Sequence, residues 1–230
     1  MPADSRYIDI HCHHIKPDSG VQLRSLDLSQ ITANPDLLTC QADLQHMLSI
    51  GIHPWYIEPE TIAQSLQNMQ SLFNDRIIVA VGECGLDKSI STDLTLQIQV
   101  FRYQAELAER LEKPLIVHCV RAFNELLQLY KQLRPTQPWL VHGFSGKAEL
   151  AGQLAKHGVY LCFGKALLNE RSPASHALQA VPLEQLFLET DDSAYEISEI
   201  YAAAAKILGL DLTILQRQIV ANFERVFAHD

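Results

Sequence analysis

The chain has 230 residues, 47% of them apolar, and a formal net charge of −9 with its ten histidines neutral. This composition can fill a sizeable core and excludes gross disorder. The acidic balance argues against a broad duplex-binding surface, which needs positive charge, but leaves room for a small cationic pocket or bound divalent ions.

The elements follow in chain order. Tyr7–His13 is the first predicted strand and Val21–Leu28 the second, followed by Met47–His53. A helix is predicted over Thr61–Leu72, a strand over Ile77–Cys84, and a long amphipathic helix over Asp93–Glu112. Strands at Leu115–Cys119, Trp139–Phe144, Val159–Phe163 and Leu186–Thr190 alternate with helical patterns at Ala122–Leu133 and Lys147–His157. Glu196–Leu208 and Leu212–Phe227 close the chain as helices, with Gly158 and Gly209 just past helix ends, where a left-handed residue is wanted. Most strand segments are continuous apolar runs, as strands buried on both faces of a parallel sheet require.

Eight strand-like runs interleaved with helices predict an α/β fold, a distorted (β/α)8 TIM-like barrel formed by one domain over residues 1–230. A doubly wound open sheet is the alternative. Residues 14–20, HIKPDSG, are too few for a helical crossover, which needs about a dozen residues. Either the first βα unit is shortened or its second strand is no regular parallel neighbour, and the structure of residues 14–46 stays open. Five cysteines without a C-x-x-C pair read as free thiols in a reducing compartment. No leader and no membrane-spanning run is visible, so the expected location is the cytoplasm, with no membrane contact.

In a barrel, chemistry sits at the carboxyl ends of the strands. Six of the eight predicted strands end in a group able to bind a metal: His11 and His13, His53, Glu83, His118, His142 and Asp191. Alternate residues on a strand share a face, so His11 and His13 can share one ion. An isolated histidine after an apolar strand is more often a buried, hydrogen-bonded imidazole than a ligand. Six strand ends bearing such groups outweigh that reading.

On IDIHCHH, GIHPW, VAVGECGLD, the helix-to-strand stretch QIQVFRYQAELAERLEKPLIVHCVRA, VHGFSG, LFLETD and the terminal NFERVF, the chain resembles the TatD-type metal-dependent hydrolases. These are the TatD deoxyribonuclease family of the amidohydrolase superfamily, and the resemblance runs from Tyr7 to Phe227. It implies a distorted (β/α)8 barrel with a divalent-metal site. His11 and His13 would bind one metal together with Asp191, Glu83 would bridge, and His118 and His142 would hold the second. Asp191 would also accept a proton from the attacking water, making Asp191 and Glu83 the catalytic carboxylates. Three departures fall in loops near substrate: Lys88-Ser89 follows Asp87, Asp192-Ser193 follows Asp191 without the usual proline, and Arg121 stands one place late after His118.

A mixed imidazole–carboxylate set suits two divalent ions such as Zn or Mn, and Mg less well because Mg prefers oxygen. Two ions about 3.5–4 Å apart would activate a water and steady charge on a phosphoryl or carbonyl oxygen. His53 and Arg121 are candidate substrate contacts. Arg121 could grip a phosphate through two hydrogen bonds or stand solvated at a helix start. His53 could touch substrate or support the ligands. Trp55 and Tyr56 offer a stacking surface. The expected activity is a deoxyribonuclease cleaving phosphodiester bonds of DNA with a metal-activated water. The alternative is hydrolysis of a small-molecule ester, amide or phosphoester. The expected partner is therefore DNA or another phosphoester substrate, with no obligate protein partner.

Overall fold

A computed structural model describes residues 6–17, 20–38 and 46–227. Expectations touching residues 18–19 and 39–45, within the open stretch 14–46, lie outside the described residues.

Among the described residues every predicted strand is present: β1 Ile8–Cys12, β2 Val21–Asp27, β3 His46–Gly51, β4 Ile78–Asp87, β5 Leu115–Val120, β6 Trp139–Val141, β7 Tyr160–Phe163 and β8 Leu186–Leu188. They alternate with helices α1 Leu28–Ala33, α2 Ile62–Leu72, α3 Leu94–Arg110, α4 Phe123–Leu133, α5 Ala148–Ala155, α6 Pro173–Leu178, α7 Ile197–Leu208 and α8 Leu212–Phe227. The short helices α1 and α6 are additions to the sequence reading. Asp27 caps α1 with a capping box closed by Gln30, and Pro173 opens α6 behind the Ser172 cap. No helix among the described residues is long and apolar enough to cross a membrane. The chain folds as two compact units, one of residues 1–24 with 140–230 and the other of residues 25–139.

In the first unit β1 and β2 pair in parallel, with Ile8 opposite Val21 and Asp9 opposite Gln22. The second strand is thus a parallel neighbour, though its register shifts between Asp9 and Cys12, and the first βα unit is shortened. The connection manages without a helical crossover because it is pinned from below. The buried Gln22 amide accepts from the Lys16 N–H and donates to the Lys16 carbonyl, both at 2.8 Å. Gly20 has φ +83°, and an added Cβ there would lie 2.3 Å from the Tyr7 carbonyl oxygen. A side chain at that turn is excluded both by backbone conformation and by space.

β7 pairs in parallel with β6 and β8, and a parallel bridge joins Cys12 at the end of β1 to Asp191 just past β8. First and last strands that meet are a property of a closed barrel, which a doubly wound sheet lacks. Two side chains on the final helices hold this arrangement. Asn222 of α8 donates to the carbonyls of Leu183 and Leu186, fixing the start of β8. The Tyr201 hydroxyl of α7 accepts from the Ile8 N–H and donates to the Ile8 carbonyl, each at 3.1 Å, with all groups buried. Tyr201→Phe strands both backbone groups without a partner. It is expected to lower unfolding free energy by about 1–3 kcal/mol in urea melts.

In the second unit β3, β4 and β5 pair in parallel. Helix α3 starts on the Asp93 cap and buries Val100, Phe101, Leu107 and Ala108. Phe101 and Tyr130 both meet Trp139 edge-to-face, at 5.2 and 5.1 Å between centroids. The same buried face of α3 carries two glutamines, Gln97 and Gln104, spaced two helical turns apart.

Candidate metal centre

In the first unit, His11 lies in β1, and Asp191 follows β8. Two backbone hydrogen bonds set Asp191 against β1: its N–H donates to the His11 carbonyl at 2.9 Å, and its carbonyl accepts from the His13 N–H at 3.1 Å. Asp191 adopts a left-handed conformation, φ 55°, which strains most residues but is tolerated by Asp and Asn. As a result His11 Nε2 lies 3.7 Å and His13 Nε2 lies 3.4 Å from Asp191 Oδ1. His142, just past β6, packs against His11 with the rings tilted 35° and 4.3 Å between centroids. His11, His142 and Asp191 offer ligand atoms that all lie within 4.8 Å of one another. His142, which the resemblance assigns to the second metal, therefore joins this cluster.

In the second unit, the strand-four prediction needs correction. β4 does not end at Cys84; it runs on to Asp87, and Glu83 sits mid-strand. The β4–β5 register slips between Val81 and Cys84, a bulge that re-aims the side chain at Glu83. Glu83 Oε1 lies 2.9 Å from His118 Nδ1 and 3.1 Å from His53 Nε2, and the three residues form a second cluster of potential ligands. His118 Nε2 lies 3.4 Å from Asp87 Oδ2.

Hydrogen bonding separates the roles of the two imidazoles. His53 Nδ1 accepts the Trp55 N–H at 3.2 Å, so a neutral ring carries its proton on Nε2 and donates it to Glu83. His53 thus steadies Glu83. His118 Nε2 faces a carboxylate that stays ionised. Burial raises the Asp87 pKa, but hydrogen bonds from Ser89, Trp55 and His118 outweigh it and hold the pKa at about 2. With its proton on Nε2, His118 turns the Nδ1 lone pair toward Glu83 at 2.9 Å. Two electron-rich atoms at that distance call for a cation or a proton between them.

Both clusters fit a divalent ion. Ligands bonded at 2.0–2.2 Å to one ion stand about 2.8–3.6 Å apart across octahedral to tetrahedral geometry, and the His13–Asp191 and His118–Glu83 separations, 3.4 and 2.9 Å, fall in that range. Neither cluster contains a thiolate, so the donor chemistry is that of a borderline or hard ion. The four described cysteines are free, and burial pushes Cys12, Cys84, Cys119 and Cys162 above their usual pKa.

Sequence reasoning missed three residues that position these groups. Asp87 reads as a turn residue in GLD, yet it ends β4 and orients His118. Gln97 accepts the Asp87 N–H at 2.7 Å and donates to the Asp87 carbonyl at 3.0 Å. Gln104 does the same for Ile52, at 2.8 and 3.1 Å, and so sets the strand end that carries His53. The one sequence signal was a pair of amides seven residues apart on an apolar helix face. Arg121 is exposed just past β5, with a left-handed φ of 55°. Lys88 and Lys165 are paired with Glu125 and Asp192.

Glu189, two residues before Asp191, is fully buried. Its Oε1 accepts the Gly143 N–H at 2.5 Å and lies 3.9 Å from His142 Nδ1. Burial raises its pKa to about 8, against the opposing pull of His142. Asp9, buried and hydrogen-bonded to Thr190, is raised to about 6 for the same reason. A pKa raised on folding gives stability that is full below the unfolded value and is lost as pH climbs through the folded one. The chelated protein is therefore expected to lose thermal stability as pH rises from about 4.5 to about 8. Glu189→Gln should flatten the part of that fall between pH 6 and 8, measured by melting curves in chelator.

A parallel α/β fold whose first and last strands meet, with imidazole–carboxylate clusters at and beside its strand ends, defines a metal-dependent hydrolase. The chain belongs to the TatD related DNase family, whose model matches residues 8–228. An uncharacterized metal-dependent hydrolase of Buchnera aphidicola is 31% identical over 206 residues, covering 80% of this chain and 77% of that protein. The human 3'-5' RNA nuclease TATDN2 is 34% identical over 149 residues, 62% of this chain but 19% of that longer protein. The crystal structure of YjjV, a TatD homologue from Escherichia coli, superposes with a TM-score of 0.83 at 22% identity, covering 99% of this chain and all of that one. That likeness carries the fold: the distorted barrel expected from sequence is the observed class.

Proposed function

We propose that this enzyme is a deoxyribonuclease that hydrolyses phosphodiester bonds of single-stranded DNA from an end, that His11, His13, Glu83, His118, His142 and Asp191 are its metal ligands, and that the chain is a single catalytic domain. The observation that carries this reading is the placing of Asp191 beside two imidazoles, with its side chain 27% exposed where Glu83 is 7% exposed. A carboxylate that meets both ligands and solvent is suited to proton transfer. The family match and a relative named as a 3'-5' nuclease support the bond class.

Divalent ions held by these six residues would supply Lewis acidity and lower the pKa of water. The protein's own groups do the rest. Asp191 accepts the proton of the attacking water at a carboxylate oxygen. Glu83, held by the His53 Nε2 proton, keeps its carboxylate aimed into the cluster. Asp87 holds His118 in one orientation through Nε2. Arg121, exposed beyond β5, binds a phosphate oxygen of the strand by charge-assisted hydrogen bonds. The four free thiols among the described residues support a reducing compartment, which we take to be the cytoplasm.

The test is incubation of the metal-loaded protein with end-labelled single-stranded DNA in Mg, Mn, Co or Zn. Stepwise shortening that stops with chelator and with His118→Ala is the expected result. An absence of cleavage with every metal, together with turnover of an ester or amide panel, would overturn the nuclease reading.

A further inference from the structure

We propose that Trp55 is a stacking platform for a nucleobase and that the groove beside it is the base subsite of the enzyme. The proposal rests on the nuclease reading above and names how that substrate is held.

Trp55 and Tyr56 are 58% and 54% exposed, in the short turn Pro54–Tyr56 directly after His53. Trp55 is nevertheless fixed at two points. Its indole N–H donates to Asp87 Oδ2 at 2.7 Å, and its backbone N–H donates to His53 Nδ1 at 3.2 Å. The ring stands edge-to-face to His53 at 5.1 Å and to His118 at 6.3 Å. An aromatic ring held this way loses little freedom when a ligand covers it.

Charge decides what covers it. The adjoining groove, about 660 Å³, is lined by Trp55, Tyr56, Leu28 and Ile52 together with the carboxylates Asp27, Glu58 and Glu60, and among the described residues no lysine or arginine lines it. A phosphate chain is repelled there. A neutral base is not: it can lay its π-face on the indole and give its amino or imino hydrogens to a carboxylate. The phosphodiester would then lie outside the groove, toward the cluster of His53, Glu83 and His118. Only an unpaired base can enter, which makes the subsite selective for single strands.

Two experiments read this. The chain has two tryptophans, and the second, Trp139, is 1% exposed, so fluorescence changes report Trp55. A phosphorothioate oligothymidylate added to the metal-loaded protein should quench the wild type. It should leave Trp55→Phe unquenched, and an abasic phosphorothioate oligomer should quench neither. In kinetics, Trp55→Ala should raise KM for single-stranded DNA about tenfold or more, while Trp55→Phe, which keeps a stacking face but loses the N–H, should stay within threefold of wild type. Equal KM increases for both variants would make Trp55 a strut for Asp87 and overturn the proposal. So would an increase of equal size on an abasic substrate. DNA cleavage without base-dependent quenching would sink the platform and leave the nuclease standing. Quenching by the oligomer without cleavage of any nucleic acid would do the reverse.

Discussion

Asp191→Asn is expected to lower turnover on single-stranded DNA by at least about a thousandfold while leaving the fold in place. The size follows from the loss of two roles at once, proton acceptor and anionic ligand, each typically worth two to four orders of magnitude. The fold should persist because the residue is held by its backbone, through the His11 carbonyl and the His13 N–H. Asparagine also tolerates the left-handed φ of 55°. Asp191→Ala offers a contrast: it should lose activity equally and, in addition, about 1 kcal/mol of stability from the strained backbone. Single-turnover kinetics, metal content and thermal melting of the two variants check this. Activity of Asp191→Asn within tenfold of wild type would remove Asp191 from the chemistry.

Gly85→Ala is expected to cost more than about 3 kcal/mol, or to abolish folding, although the substitution adds a single methyl group. Gly85 stands opposite His118 in the β4–β5 ladder. An added Cβ would lie 1.8 Å from the His118 carbonyl oxygen and 2.7 Å from its carbonyl carbon. Both are backbone atoms, so no rotamer change relieves the clash, and the strands must separate where His118 is presented. Any folded fraction should bind metal more weakly than wild type. Gly152→Ala is the control: nothing lies within 4 Å of its added Cβ, and it sits inside α5. It should stabilise by about 0.5–1 kcal/mol through helix propensity. Urea melts of both variants, with metal content, decide the matter. A Gly85→Ala protein as stable as wild type would show that β4 and β5 can part at no cost.

The GECG stretch shows how far local reading reaches. The apolar run predicts a strand over Ile77–Cys84 that ends within this stretch. The structure carries it on to Asp87, because Gly82 and Gly85 serve close approach to β5: an added Cβ at Gly82 would lie 2.4 Å from the Ile116 carbonyl oxygen. Only the neighbouring strand reveals that use. The same holds for α3. Its apolar stripe is legible in the sequence, but the roles of Gln97 and Gln104 show only in the strand ends they grip. The eight-residue link from β1 to β2 likewise depended on Gln22, whose partner is the loop itself.

By itself the amino-acid order determined the alternation of strands and helices, the α/β class, and the kind of donor that follows each strand. Those properties rest on periodicity and residue chemistry, which are local. Tertiary structure alone decided which donors meet. It set His142 beside His11 and Asp191, placed His53, a candidate substrate contact or support, against Glu83, and made Asp87 the link between His118 and Trp55. Such pairings depend on strand register, on a bulge and on backbone turns, and a side chain's partner across a sheet leaves no mark in its own neighbourhood.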